Sequence, residues 1–321
     1  MRWVCRSACI VALGCGGSTS ADADTSTSAH GSSDVESSSA AASSESSTTP
    51  VTSASSEASS SSSGTPDEPP VPTDEQWARL LALRYDDGPP PIDVTNAWAD
   101  DADAAELGRA LFFDPRFSGP LLEGDNDGSP GTLGVDGEVH KVACASCHVA
   151  ETSFVDTRSP HGQISLAAAW VLRKTPSLLD VGFAKLLAWG GRRDALFNVP
   201  FGAIESSREL NSSRLYYAKQ LYANHRARYE ALFGAMPDFS DAARFGTLAA
   251  STNGCTEIDG QVCNGRPGDG GVFDALAPAD QDEVTRAVVN ASKAMGAYLR
   301  LLRCGSSRFD EWLDGDESAL T

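Results

Sequence analysis

Cys144-Ala145-Ser146-Cys147-His148 places two thiols three residues apart and an imidazole directly after the second. Residues of these types at this spacing can close a redox-active dithiol, supply half of a zinc site, or take a haem covalently. The first two uses need C-x-x-C but not the histidine. The chain holds no second C-x-x-C, and no thioredoxin-like βαβ pattern surrounds the motif. Covalent haem employs every position. Two intervening residues let a tight turn set both sulfurs along one haem edge as thioethers to the vinyl groups, and the next imidazole reaches the iron. Cys144 and Cys147 are read as the attachment points and His148 as the proximal ligand.

Such a haem requires export. Arg2 gives a positive start, Ala8 to Leu13 is a short apolar run, and Gly14-Cys15 follows, as in a bacterial lipoprotein signal cleaved before Cys15. The alternative is an ordinary secretory signal in which Cys15 is incidental. No stretch is apolar enough to span a bilayer, so the expected anchor is lipid at Cys15 and the expected location periplasmic and membrane-tethered. Residues 16–72 are dominated by Ser, Thr and Ala and end in a proline-rich run, Pro66 to Pro72. Without large apolar side chains this segment cannot bury a core, and it is read as a disordered tether.

The remaining chain, about 250 residues, suffices for one domain with large loops. A net charge of -19 argues against nucleic-acid binding. The same charge would steer a basic partner such as a small cytochrome, or simply keep the protein soluble. Of eight cysteines, Cys5, Cys9 and Cys15 belong to the signal and Cys144 and Cys147 to the haem motif. Cys255 and Cys263 flank a short loop that a disulfide would pin, and Cys304 is left as a buried thiol or a competitor for that pair.

Helices must position these groups. Thr73 caps a helix carrying Trp77, Leu80 and Leu81, and a second runs from Ala102 to Phe113 and stops at Asp114-Pro115. An acidic loop from Glu123 to Glu138 contains Asp125-Asn126-Asp127-Gly128, a fragment of a calcium loop without its later ligands, read as solvated. Asn211 or Ser212 is expected to cap a helix over Leu215 to Phe233, with Gly234 as its stop. A last helix spans Asp280 to Leu302, with Val284, Val288, Ala291, Met295 and Tyr298 at helical spacing. With no run of strands, the fold is read as all-α: a c-type cytochrome-like haem domain with long loops over 73–310.

Several segments taken together resemble the bacterial dihaem cytochrome c peroxidases. They are Leu107-Gly108-Arg109-Ala110-Leu111-Phe112-Phe113-Asp114-Pro115-Arg116-Phe117-Ser118-Gly119, the haem motif, Thr175-Pro176-Ser177-Leu178, Trp189 with Gly191-Arg192, and Glu209-Leu210-Asn211. The resemblance runs from about Thr73 onward. It implies that this is the N-terminal, peroxidatic haem domain, and that 311–321 resembles the bridge toward a second haem domain. The sequence carries one C-x-x-C-H, so the expectation is either a truncated or split gene or a one-haem derivative.

The resemblance also assigns roles. Glu209 matches the distal acid-base residue, with placement at a helix start as its structural alternative. His161 falls where the family often has a removable distal ligand to the haem iron, or is an exposed bystander. Trp189 matches the tryptophan between the two haems, or simply packs. His30, His140 and His225 match no motif and are read as solvent-facing or packing residues. Lys174 stands where the family has an asparagine at its calcium site, and Gly190 where it has an aspartate, which leaves calcium in doubt beside haem c.

The function expected is reduction of hydrogen peroxide with electrons from a small c-type cytochrome. Heterolysis of peroxide needs two electrons, of which one haem iron supplies one. The second must come from the porphyrin, a Trp or Tyr side chain, a partner haem protein, or a separately encoded second domain. The alternatives are a non-enzymatic monohaem electron carrier in which His161 stays bound, and a side-chain-oxidising enzyme of the methylamine-utilisation type.

Overall fold

The structure, a computed structural model, describes residues 71–122, 126–158, 165–257 and 263–320. The signal, Cys15, His30, the serine-rich tether, Asp125 and His161 lie outside the described residues. Along the chain the α-helices are α1 (Asp74–Leu81), α2 (Ala102–Phe112), α3 (Cys144–Cys147), α4 (Asn198–Ile204), α5 (Arg214–Phe233), α6 (Ala242–Phe245), α7 (Pro278–Arg300) and α8 (Arg308–Leu313). The one sheet among the described residues is a two-residue antiparallel pair, β1 (Gly254–Cys255) with β2 (Cys263–Asn264). The all-α reading therefore holds.

These residues form two compact units, 85–306 and 71–84 with 307–320. The larger unit thus begins and ends inside the 73–310 span expected from sequence. In the smaller unit α1 has its capping box at Thr73 and Gln76, Trp77 meets Trp312 of α8 edge-on at 5.0 Å, and Arg84 pairs with Asp314.

The larger unit is built on α2, α5 and α7. α2 lies along α7 so closely that a side chain at Gly108 would run into the backbone of Ala294, which only glycine avoids. Leu107 and Leu111 from α2, Leu215 and Leu221 from α5, and Val284, Val288, Ala291 and Met295 from α7 fill the core.

The ends of the long helices differ from the sequence expectation. The N-cap of α5 is Ser213, whose hydroxyl accepts from the Tyr216 amide. Asn211 is not the cap, because its side chain is buried and bonds the backbone of Pro120 and Cys255 instead. α7 starts at Pro278, which fits the first turn because its missing N–H would have no helical partner there, and it ends at Arg300, before Leu302. Both helices carry a stretch buried on all sides, Leu215–Ala218 in α5 and Ala294–Arg300 in α7. Arg300 is accommodated there by ion-pairing to Asp100 at 2.8 Å and donating to the Pro91 carbonyl.

Cys255 and Cys263 form the disulfide, leaving Cys304 outside that bridge. In the acidic loop, Asn126 is buried and donates to the carbonyls of Ala167 and Ala168, while Asp127 accepts from the Ser129 amide. The part of the calcium-loop fragment that is described therefore spends its side chains on local structure rather than on a common centre. Among the described residues no group of three or more His, Cys, Asp or Glu side chains converges as a metal site would require.

Candidate haem site

The four residues of α3 make a single helical turn, closed by the Ser146 hydroxyl accepting from the Ala143 amide and the His148 amide donating to the Cys144 carbonyl. Positions three apart on a helix share a face, so Cys144 and Cys147 point the same way. Neither is in a disulfide. Both pack against the apolar core, and burial pushes each thiol up to about 12. They are thus neutral S–H groups, the form whose addition across a vinyl double bond leaves no net charge or redox change.

His148 follows where the chain leaves the helix. Its Nδ1 lies 3.1 Å from the Phe154 carbonyl, and the Pro176 carbonyl also hydrogen-bonds the ring. Burial lowers the basicity of the ring, against those two carbonyls, which support its protonated form. A neutral imidazole with its N–H committed at Nδ1 presents the Nε2 lone pair, the arrangement a metal-bound histidine takes.

The carbonyl of Phe154 is aimed at considerable backbone cost. Ser153 and Phe154 both adopt left-handed conformations, φ 60° and 61°. For non-glycine residues this costs of order 1–3 kcal/mol each and persists only when surroundings enforce it. The enforcement comes from Thr175-Pro176-Ser177-Leu178. Ser177 donates to the Ser153 carbonyl at 2.7 Å, and Leu178 packs with Phe112 and Phe154.

Beneath Cys147 lies a network that sequence reasoning did not find. Asp156, fully buried, accepts both Nε and Nη2 of Arg158, and Ser165 hydrogen-bonds the same carboxylate. Burial pulls this carboxyl upward, but the Arg158 bonds and charge outweigh it, and its pKa lies below the usual aspartate value. Arg158 reaches the Leu166 carbonyl at 2.8 Å and the Cys147 sulfur at 3.6 Å, and its Nη1 is buried without a partner among the described residues. Ser165 in turn meets the Thr175 hydroxyl at 2.7 Å. The signal available in sequence was Asp156 standing two residues before Arg158, too common a pairing to stand out.

Glu209 is in a turn that ends before the α5 cap, so it is not a helix-start residue. Its loop is fixed by backbone bonds from Ala168 to its own carbonyl and from Gly119 to the Leu210 carbonyl. A side chain at Gly119 would strike the Asn211 carbonyl, which explains why Ser118-Gly119 and Glu209-Leu210-Asn211 occur together. Burial raises the Glu209 pKa, opposed by a Ser206 hydrogen bond and by Arg192 and Arg193. Its carboxylate acts electrostatically on both Cys144 and Cys147. Glu209 thus lies within electrostatic reach of both thiols.

Trp189 is not part of that cluster. It is 63% exposed at the tip of a hairpin closed by Leu187 and Arg193, with Nε1 donating to the Lys174 carbonyl at 2.6 Å. The packing alternative for this side chain is not what the structure shows. His140 and His225 are engaged, the first with the Tyr216 hydroxyl and the second with Asp114.

The donor set fits haem c: paired unbridged thiols on one face, a neutral imidazole with Nε2 available, and a half-buried carboxyl close by. The family model described as di-haem cytochrome c peroxidase matches residues 102–253. The matched residues make up a little under half of the chain. They contain the haem motif, Trp189 and Glu209, and members of the family carry c-type haem. A curated relative, the methylamine utilization protein MauG of Methylorubrum extorquens, is 26% identical over 67% of this chain and 42% of its own length. The chain thus spans about two fifths of that relative. Among solved structures, the diheme peroxidase BthA of Burkholderia thailandensis aligns with TM-score 0.41 and 22% identity over 66% of this chain and 42% of its own. A MauG-like protein associated with microbial copper homeostasis aligns with TM-score 0.38 and 21% identity over 71% and 48%.

Proposed function

We propose that this chain is the peroxidatic haem domain of a peroxidase, reducing hydrogen peroxide with electrons from a small c-type cytochrome. The observation that carries the reading is the half-buried Glu209 carboxyl acting on both thiols of the haem motif. Bound at Cys144, Cys147 and His148, haem c would supply a redox-active iron able to take up peroxide. The side chains do the rest. His148 holds its N–H on the Phe154 carbonyl, which leaves Nε2 as the atom that would bind the iron. Glu209 takes the proton of the incoming peroxide and returns it to the departing oxygen. A carboxyl raised by burial serves both steps, being a stronger base than free glutamate and still a usable acid. Ser206 orients that carboxyl, and Arg192 and Arg193 favour its ionised form.

The localisation and partners proposed with this reading are a periplasmic site, a lipid at Cys15 and a small c-type cytochrome as electron donor. No described helix is long and apolar enough to cross a membrane. A second reading, oxidation of a protein side chain, draws on the MauG relative, and a third is a monohaem carrier with His161 on the iron.

The experiment is rapid mixing of the ferric holoprotein with peroxide, followed in the haem absorption bands. Glu209→Gln is expected to slow peroxide turnover by roughly 100-fold with haem content unchanged. Unchanged turnover would remove Glu209 from the mechanism. A low-spin iron that binds neither peroxide nor cyanide would leave the carrier reading in place, and radical formation on an added protein substrate would favour the second.

A further inference from the structure

Tyr216 and His140 form a pair that the reading above does not use. The Tyr216 hydroxyl lies 2.6 Å from His140 Nε2, and it is the one tyrosine hydroxyl that meets an imidazole among the described residues. Tyr216 is 3% exposed, so bulk water does not replace the imidazole as its proton acceptor. His140 sits at φ 61°, a left-handed conformation that a non-glycine residue holds only when its surroundings impose it. The segment from His140 to Cys144 is continuous with the haem motif, and Tyr216 is bonded in the chain to Tyr217. The Tyr217 ring is fully buried, stacks on Phe117 at 4.1 Å and lies in the apolar cluster against which Cys144 packs. The pair is thus joined to the haem motif covalently through residues 140–144, and by packing through Tyr217 of α5.

A phenol loses an electron at accessible potentials only if its proton leaves at the same time, and a neutral imidazole at hydrogen-bond distance is a suitable acceptor. Burial keeps His140 neutral by lowering its pKa, against Asp114, which favours the charged ring, while Arg116 adds to the lowering. The same burial pushes the Tyr216 hydroxyl up to about 12, so the phenol keeps its proton until it is oxidised.

We propose that Tyr216, hydrogen-bonded to His140, is a redox-active tyrosine that supplies the second electron of peroxide cleavage. The inference rests on the peroxidase reading for its oxidant. Hydrogen peroxide takes up two electrons and two protons to give two waters. Tyr216 gives one electron while its O–H proton passes to Nε2 of His140; bound haem with its reductant would supply the other electron, and the two protons come from solvent. A neutral tyrosyl radical then faces an imidazolium. A one-electron reductant restores the phenolate electron, His140 returns the proton, and the pair is ready again. Tyr216 also borders a surface cavity of about 440 Å³ shared with Tyr222 and Phe239, by which such a reductant can approach.

The test is electron paramagnetic resonance of the full-chain ferric holoprotein, frozen after mixing with hydrogen peroxide. An organic radical is expected whose line narrows when tyrosine is ring-deuterated. It should be lost in Tyr216→Phe and altered in line shape in His140→Gln, and its formation should slow in deuterated water. Haem content and melting temperature of each variant establish that it is folded, and His140→Gln serves alone if Tyr216→Phe is not. A radical that persists in Tyr216→Phe, or no organic radical while the haem bands show oxidation, overturns the proposal. Haem bands that peroxide leaves unchanged would instead overturn the peroxidase reading. Flash-generated ruthenium(III) then serves as oxidant, and the same presence or absence of a Tyr216 signal decides the tyrosine.

Discussion

His148 is held from several directions at once, with the Phe154 and Pro176 carbonyls on its ring, two left-handed residues aiming one of them, and Ser177 bracing the turn behind. Trp189, from another segment shared with the same family, is held by one hydrogen bond to the Lys174 carbonyl. Its hairpin presents Leu186 and Trp189 to solvent at 65% and 63% exposure and turns through left-handed Ala188 and Gly191. The difference separates two kinds of motif. The first is braced within the fold, because the left-handed turn near His148 is held by Ser177 and by the packing of Leu178. The hairpin is anchored at its base, where Leu187 is buried with Leu178 and Phe154, while its tip is exposed.

That contrast can be broken at its strongest point first. Replacing Cys144 and Cys147 together by Ala should abolish covalent haem, read as loss of the haem mass from the intact protein. Retention of that mass would overturn the attachment assignment. Next in size is Asp156→Asn. It leaves the Arg158 guanidinium beside Cys147 without its buried carboxylate and should cost roughly 3 kcal/mol, measured as a lower denaturant midpoint. A change near zero would mean that the network is incidental to the fold.

A smaller effect is expected from pH. Burial raises the Glu209 pKa in the folded protein, so the carboxyl holds its proton to higher pH than free glutamate does. Peroxide activation, which needs the base form, should therefore fall away as pH drops through that raised value, and the limb should vanish in Glu209→Gln. The same sign makes the group's contribution to folding greatest below its unfolded pKa and lost as pH rises through the folded one. An activity limb at the ordinary glutamate value would show that burial does not control this carboxyl. The smallest effect belongs to the hairpin. Trp189→Phe should change stability by no more than about 0.5 kcal/mol, because an exposed ring with one hydrogen bond contributes little. A loss of several kcal/mol by thermal melting would erase the contrast between the two regions.

Much was legible in the chain before any coordinates. The haem motif announces itself because covalent chemistry demands fixed residue types at fixed spacing. α2 and α7 were legible from apolar positions at helical intervals, and the α1 cap at Thr73 from the acidic residues and apolar spacing that follow it. Periodicity failed where burial is not one-sided: the first turns of α5 and the last of α7 are enclosed all round, so their sequence carries no polar face to mark an edge. The α5 cap was misplaced by one or two residues because Asn211, Ser212 and Ser213 are all good cap residues by type. Only the fold shows that Asn211 is drawn into the loop beside Gly119 and that Ser213 is left to do the capping.

By itself, then, the sequence determined chemistry that is local: which cysteines can take haem, which histidine follows them, and which helices can form. The tertiary structure decided what depends on distance between remote residues. It set Glu209 against thiols more than sixty positions earlier, placed Asp156 and Arg158 under Cys147, and turned His140 from an unassigned histidine into the partner of Tyr216. The reason is physical. A pKa, a proton acceptor or a buried ion pair is made by whatever side chains burial brings within a few ångströms, and sequence spacing encodes such proximity only within a helix turn or a short loop.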